Sequence, residues 1–192
     1  WLVASTHQGD EGLALAAFTI IKKQFPQLLL IIVPRHPERF ETVAKLCINQ
    51  GYAVVKRSEQ IQVTEQDVWL LDTLGELMPA YALADLVTMG GSFSHIGGHN
   101  PLEPALFNKA IIAGNDMSNF SEILTQLKQN QAIVQLAPAT KTHYSQQLAQ
   151  AVLELLNDSA AMHALGDNAQ QVVVNNQGAT KRTLAAIQEL IA

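Results

Sequence analysis

The chain has 192 residues, of which 48% are hydrophobic, and its 17 acidic and 12 basic side chains give a net charge of −5. This hydrophobic content suits a sizeable core, whereas the small number of Lys and Arg residues excludes a general nucleic-acid binder, which needs clustered basic residues. No apolar stretch reaches the roughly 20 residues of a membrane-spanning helix. The single cysteine, Cys47, cannot form an internal disulfide, which favours a reducing compartment and a buried thiol.

Short apolar runs alternate with amphipathic stretches along the chain. The first run has no preceding methionine, and we expect the chain to be a soluble fragment of a longer protein. Strands are predicted at 1–4, 28–33, 52–55, 68–71, 86–89, 110–113 and 132–136. Helices are predicted between them at 11–24, 37–50, 75–83, 101–107 and 119–129. A helical tail, about 141–192, is predicted to contain helices at 142–156, 160–175 and 180–191.

This alternation predicts an α/β fold with a doubly wound, Rossmann-like parallel sheet, forming a single domain over residues 1–192. Polar and glycine-containing segments follow five of the strands, at 5–7, 34–36, 72–73, 90–92 and 114–116. In an open parallel sheet, ligands bind outside the carboxyl ends of the strands. The sequence therefore predicts a ligand site at that edge.

The glycine-rich run 90–104 lies between a predicted strand and a predicted helix. Asn100 to Glu103 have two interpretations. Asn100 can cap the helix, with Pro101 in its first turn and Glu103 at the capping-box position. Alternatively, Glu103 accepts hydrogen bonds from a ribose diol while Asn100 and the helix start orient the ligand. The glycine pairs 90–91 and 97–98 are not needed for a cap, and they favour ligand binding.

Two further strand ends carry candidate ligand contacts. Arg35 is suited to phosphate or carboxylate, because its planar guanidinium donates two parallel hydrogen bonds; alternatively it pairs with a neighbouring acid such as Glu38. Arg39 is expected to be solvated or salt-bridged. In the segment 72–77, either Thr73 caps the following helix with Glu76 at the capping-box position, or the loop packs against a flat ring such as a nucleobase.

The segment 5–11 contains a serine and a histidine, but neighbouring positions do not make a nucleophile and base. Thr6 or Asp10 is expected to cap the first helix, and His7 either faces the ligand edge or has a local structural role. His95 and His99 are separated by glycines rather than spaced along a helix, so no metal site is predicted.

Four motifs occur in this order: Ser-Thr-His-x-Gly-x-Glu at 5–11, Pro-Arg-His-Pro-Glu-Arg-Phe at 34–40, Asp-Thr-x-Gly-Glu-Leu at 72–77, and Gly-Gly-Ser-Phe at 90–93 with Gly-Gly-His-Asn-Pro-Leu-Glu-Pro at 97–104. Together they resemble the C-terminal half of bacterial 3-deoxy-D-manno-octulosonic acid (Kdo) transferases. Each motif alone is weak, but the ordered set at matching strand ends is specific. The matches span roughly residues 1–114.

The resemblance implies the C-terminal half of a GT-B type glycosyltransferase in lipopolysaccharide biosynthesis, with the sugar nucleotide CMP-Kdo as substrate and with no cofactor or metal. The absent N-terminal domain would bind the lipid A precursor and supply the catalytic base, and the full-length protein would be associated with the cytoplasmic face of the bacterial inner membrane. The implied donor contacts in this chain are Pro34, Arg35, Glu76, Leu77, Met78, Ser92, Asn100, Pro101, Leu102 and Glu103. A fragment without the base is expected to be inactive alone. The sequence leaves two alternatives open: a domain of another nucleotide-sugar enzyme, such as one using UDP-sugars, and a non-catalytic Rossmann-like binding module.

Overall fold

A computed structural model describes residues 1–177 as a parallel sheet with helices on both faces. The strands are β1 Leu2–Thr6, β2 Leu30–Pro34, β3 Val54–Lys56, β4 Val68–Leu70, β5 Leu86–Met89, β6 Ala110–Ala113 and β7 Val134–Gln135. The helices are α1 Asp10–Ile21, α2 Phe40–Asn49, α3 Leu77–Leu83, α4 Leu102–Ala105, α5 Ser121–Gln129, α6 Lys141–Asn157 and α7 Ser159–Asn176. Short 3-10 turns at Pro37–Arg39, Arg57–Glu59 and Ser118–Phe120 complete the described elements.

The seven strands lie in the order β3-β4-β2-β1-β5-β6-β7, and every pairing is parallel. All seven predicted strands and the predicted parallel α/β architecture are confirmed. Every residue of β1, β2, β5 and β6 is buried, which explains why these strands read as continuous apolar runs rather than alternating ones.

Alternate residues along the strands face two separate hydrophobic cores. Val3 and Ile32 pack with α1, α2 and α6 on one face of the sheet. Leu2 and Ile31 pack with α3, α4, α5 and α7 on the other. Cys47 lies in α2 on the first face as a free and fully buried thiol, as the sequence predicts, and burial raises its pKa to about 12.

One predicted helix is shorter in the structure than in the prediction, and another falls beyond residue 177. The helix predicted at 101–107 is a single turn, α4, because the chain turns after Ala105 and Asn108 takes a left-handed conformation (φ 54°). The helix predicted at 180–191 lies outside the described residues. Across residues 1–177, no helix combines the length and the apolar character needed to cross a membrane.

Candidate functional site

The strand order reverses between β1 and β5, because β1 pairs with β2 on one side and with β5 on the other. Ligands of doubly wound sheets bind at this switch point, outside the carboxyl ends of the strands. The two chain segments that leave β1 and β5 come into direct contact here, since the Gly90 amide donates to the Ala4 carbonyl at 2.7 Å. A Cβ atom at Gly90 would collide with the carbonyl oxygens of Ala4 and Ser5. Only glycine therefore allows this approach.

A buried carboxylate fastens these two segments together. Oδ2 of Asp10, a residue only 2% exposed, accepts hydrogen bonds from the backbone amides of His7 (2.8 Å) and Gly91 (2.7 Å). Burial raises the pKa of Asp10 to about 6, although the two amides act in the opposite direction. The carboxylate is thus a clamp between the ends of β1 and β5.

A second buried carboxylate connects β1 to the segment after β2. Glu11 is 1% exposed and accepts hydrogen bonds from Nη1 and Nη2 of Arg39, at 2.6 and 2.9 Å, and from the hydroxyl of Thr6 at 2.6 Å. The same guanidinium donates to the Thr6 carbonyl at 3.2 Å. Arg39 is therefore salt-bridged, which was one of its two predicted states. The predicted capping role of Thr6 is wrong, because its hydroxyl is used by Glu11 and no side chain caps α1.

Three histidines from three different strand ends meet beside these clamps. Nε2 of His7 lies 2.8 Å from Nε2 of His99, and the two rings are nearly parallel with centroids 5.0 Å apart. His36 meets the other side of His7 edge-on, at 5.2 Å between centroids. Burial, then the charges of His7 and Arg35, lower the pKa of His99 to about 4. Burial, then His36, also lowers the pKa of His7.

These histidines are not arranged around a metal position: within residues 1–177, no group of three or more His, Cys, Asp or Glu side chains could hold a metal ion. The short distance between the two Nε2 atoms instead requires one ring to donate a proton and the other to accept it. The arrangement is a hydrogen-bonded pair at the ligand edge.

Arg35 follows the buried Pro34 at the end of β2 and is exposed at the same edge. Its backbone amide donates to the Thr6 carbonyl at 3.0 Å, which holds it next to the histidines. Within the described part of the chain, its guanidinium forms no ion pair, so the alternative in which it pairs with Glu38 is wrong. A cation held at the edge without an acidic partner remains available to an anionic ligand.

Residues 100–103 form a local turn at the start of α4. Oδ1 of Asn100 accepts the Leu102 amide at 3.1 Å, and Glu103 accepts the Tyr81 hydroxyl at 3.4 Å rather than reaching back to Asn100. Asn100 therefore closes a turn just before α4 rather than capping it, because the N-cap position is Pro101 and has no side-chain cap hydrogen bond, and the predicted capping box is absent. Because α4 has only four residues, its dipole contributes little charge stabilisation at this position. Glu103 keeps its other oxygen without a hydrogen bond among residues 1–177.

The segment before α3 is held by an ion pair that the sequence did not reveal. Oε1 of Glu76 accepts from Nε (3.2 Å) and Nη2 (2.9 Å) of Arg57, and Oε2 accepts the Thr73 hydroxyl. Chiefly the Thr73 hydroxyl, with help from Arg57, lowers the pKa of Glu76. Leu77 begins α3 with a half-buried side chain, whereas Met78 is 39% exposed. An open groove of 660 Å³ next to this ion pair is lined by Trp69, Leu71, Pro79, Ala80 and Leu83, among others.

Ser92 differs from the other predicted contacts. Its hydroxyl is fully buried, donates to the Met89 carbonyl at 2.6 Å and accepts the Gly114 amide at 2.7 Å. The predicted ligand contact through this hydroxyl is therefore not supported. Ser92 instead connects the segment after β5 to the segment after β6.

The remaining predicted contacts occupy a common edge. Pro34 ends β2 and Arg35 follows it, residues 76–78 follow β4, and residues 100–103 follow β5. The Tyr81–Glu103 hydrogen bond joins α3 to α4, and the amide of Arg35 joins the segment after β2 to that after β1.

Sequence reasoning missed the paired roles of Asp10 and Glu11. Their position at the start of an amphipathic helix is typical of solvated first-turn acids, so the sequence carried no specific signal.

No family model matches the chain. It is 36% identical over 185 residues to a 3-deoxy-D-manno-octulosonic acid transferase of Haemophilus influenzae, covering 96% of this chain and 42% of that protein. It is 33% identical to the Rickettsia felis enzyme of the same name, covering 98% and 40% respectively. The chain thus spans less than half the length of these relatives.

A solved structure covers the matching part of such a protein. The crystal structure of the C-terminal CMP-Kdo binding domain of WaaA from Acinetobacter baumannii is 32% identical, with a TM-score of 0.82, and the match covers 90% of this chain and 87% of that one. The chain belongs to the Kdo transferase family, as a C-terminal domain. WaaG, a glycosyltransferase involved in lipopolysaccharide biosynthesis, matches at 16% identity and a TM-score of 0.55, which supports the glycosyltransferase fold alone. The Kdo transferase domain described here therefore has both the fold and the family that the sequence predicts.

Proposed function

We propose that this chain is the donor-binding domain of a Kdo transferase and that it binds CMP-Kdo at the carboxyl edge of its sheet. The observation that carries the proposal is that Arg35, residues 76–78 and residues 100–103 follow β2, β4 and β5 at the carboxyl edge of one sheet. The similarity to a solved domain described as CMP-Kdo binding supports the choice of ligand.

Within this proposal, each segment meets a different part of the nucleotide. Arg35 contacts the phosphate, because its guanidinium is exposed and unpaired among residues 1–177. Glu103 accepts from the ribose hydroxyls through the oxygen that Tyr81 leaves free, and Asn100, Pro101 and Leu102 shape the backbone beside it. The segment 76–78 lies against the remaining part of the nucleotide, with Pro34 fixing the direction in which the chain leaves β2.

The proposed chemistry is the displacement of CMP from the anomeric carbon of Kdo by a hydroxyl of the lipid A precursor. Negative charge develops on the departing phosphate, and a fixed cation beside it stabilises the transition state more than the ground state. Arg35 supplies that cation. The acceptor hydroxyl needs a general base, which we assign to a further domain of the complete, membrane-associated enzyme at the cytoplasmic face of the inner membrane.

Nucleotide binding is tested by following backbone amide resonances of the 192-residue chain during titration with CMP, UMP and UDP. We expect CMP to bind more tightly than either uridine nucleotide, with shifts concentrated at residues 34–35, 76–78 and 100–103. Shifts located elsewhere would refute the site. A preference for UDP would favour a different nucleotide-sugar enzyme, and the absence of binding would favour a non-catalytic module.

A matched pair of variants isolates the phosphate contact. Arg35→Met should weaken CMP binding roughly tenfold or more, which is the effect of losing a hydrogen bond to a charged group. Lys45→Met, which removes an exposed cation from α2, should leave the CMP dissociation constant unchanged. Equal effects of the two substitutions would mean that only overall charge matters.

A separate assay tests where the catalytic base lies. Incubation of the chain with CMP-Kdo and an acceptor should give no transfer, and measurable transfer would refute the assignment of the base to another domain.

A further inference from the structure

The hydrogen-bonded histidines are the part of the edge that the proposed donor contacts leave unexplained. His7 follows β1 and His99 follows β5, so the pair bridges the two strands of the switch point. Both side chains are only partly exposed, and their Nε2 atoms lie 2.8 Å apart. The Asp10 clamp fixes the backbone on both sides of the pair through the His7 and Gly91 amides. The two imidazoles are thus held together by the fold rather than by chance contact.

The charges around the pair are mostly positive. Arg35, His36 and Arg39, from the segment after β2, all act on His7, and only Glu11, from α1, acts in the opposite direction. On His99 the acting groups are His7, Arg35 and His36. Because Glu11 is already paired with Arg39 and Asp10 is bonded to two amides, neither acid neutralises this cluster. Burial, together with these positive charges, favours the neutral form of both histidines, and a bound anion would act in the opposite direction.

We propose that His7 and His99 contact the phosphate of the bound nucleotide and together take up one proton as that phosphate gains its second negative charge. This inference rests on the proposed donor-binding function. CMP-Kdo carries one negative charge on its phosphodiester. When the bond between the anomeric carbon and the phosphate oxygen breaks, the electron pair stays on that oxygen, and CMP leaves with two charges.

The pair is suited to respond to this change. In the neutral pair, one N–H lies between the rings and a lone pair accepts it, so neither Nε2 is free to donate outward. A proton taken up from solvent goes to Nδ1 of the donating ring, because its Nε2 already carries the proton shared between the rings. The resulting cation then donates from that Nδ1 to phosphate in a stronger, charge-assisted hydrogen bond. When CMP dissociates, the surrounding positive charges return the proton to solvent. The cation is present only while the charge it stabilises is present.

The decisive experiment is a pH titration of the histidine Cε1–H resonances of the 192-residue chain, without ligand, with saturating CMP and with saturating cytidine. Spectra of His7→Gln and His99→Gln assign the resonances. We expect CMP to raise the proton affinity of the pair about tenfold or more and cytidine, which lacks phosphate, to leave it unchanged. The titration itself is carried out on the wild-type chain, and the variants serve only to assign its histidine resonances.

A binding measurement adds a second criterion. At pH 6.5, His7→Gln should weaken CMP binding roughly tenfold while leaving the cytidine dissociation constant unchanged, and the matched variant His163→Gln, on the exposed surface of α7, should change neither. If CMP binds with shifts at residues 100–103 but the histidines titrate as in the free chain, the inference is refuted and the proposed function stands. If CMP does not bind at all, both are refuted.

Discussion

The buried Glu11–Arg39 ion pair is the interaction whose removal has the most predictable cost. Arg39→Met deletes the guanidinium but keeps an apolar stem of similar length. Glu11 is 1% exposed and would retain only the Thr6 hydroxyl as a partner. Breaking one side of a buried pair typically costs about 3–5 kcal/mol, since the remaining charge is desolvated and uncompensated. For a chain of this size that loss lowers the melting temperature by roughly 6–20 °C.

Urea denaturation followed by circular dichroism measures this loss as a shift in the transition midpoint at unchanged slope. A matched control is Lys56→Met, because the Lys56–Glu41 pair has a similar distance of 2.9 Å but Glu41 is 66% exposed. Exposed pairs are worth about 0–1 kcal/mol. Arg39→Met should therefore destabilise the chain several times more than the control.

A double substitution tests the cause rather than the size of the effect. If the cost arises from a stranded negative charge, adding Glu11→Gln to Arg39→Met should recover a large part of the lost stability, since an amide is cheaper to bury than a carboxylate. If Arg39→Met costs no more than Lys56→Met, or if Glu11→Gln adds a further loss of similar size, the reasoning from an uncompensated buried charge is refuted.

Three further predictions concern the switch point. Gly90→Ala should lower the free energy of unfolding by about 2 kcal/mol or more, because its Cβ has no space beside the Ser5 carbonyl. Gly12→Ala, in open space on α1, should raise the free energy of unfolding by about 0.5–1 kcal/mol. Similar effects of the two substitutions in urea denaturation would contradict the argument from close backbone approach. Asp10 has a raised pKa of about 6, so the folded state binds more protons than the unfolded state between about pH 4 and 6. The contribution of Asp10 to the free energy of unfolding therefore falls by about 3 kcal/mol as pH rises from 4 to 6. Asp10→Asn should therefore gain stability relative to wild type from pH 4 to 6, and a constant difference would refute this. The pKa of His99 is lowered to about 4, so here the unfolded state binds more protons than the folded state between about pH 4 and 6.5. In the same denaturation series, the stability of His99→Gln relative to wild type should therefore fall as pH rises from 4 to 6.5.

The sequence was sufficient for the sheet because each of its signals is local. A strand covered on both faces must be apolar throughout, and the runs at β1, β2, β5 and β6 satisfy that condition within four or five residues. The polar residues that follow these runs then lie at the carboxyl edge through topology alone. This is why Arg35 and Glu103 could be placed at one edge before their geometry was known.

The interactions that fix the edge join residues distant in sequence, and no local pattern reports them. Asp10 reaches Gly91 across 81 positions, and Arg39 reaches Glu11 across 28. Similarly, the role of Ser92 depends on the Gly114 amide, which belongs to the next strand end. A sequence pattern can indicate that a residue lies near a ligand, but it cannot reveal that the side chain is already engaged.

This engagement bears on where the catalytic base lies. Carboxylates of the carboxyl edge that accept hydrogen bonds from within the chain include Asp10, Glu11, Asp72, Glu76 and Glu103. Glu38 is different: it is exposed in the turn Pro37–Arg39, where water competes for its carboxylate. A general base acts on a positioned hydroxyl within hydrogen-bond reach, and closed sites strengthen such contacts by excluding water. The edge therefore offers carboxylates that already accept hydrogen bonds within the chain and, in Glu38, an exposed carboxylate without a formed site. A domain built in this way is suited to hold the donor and stabilise its leaving phosphate, and it supports the proposal that deprotonation of the acceptor belongs to another domain.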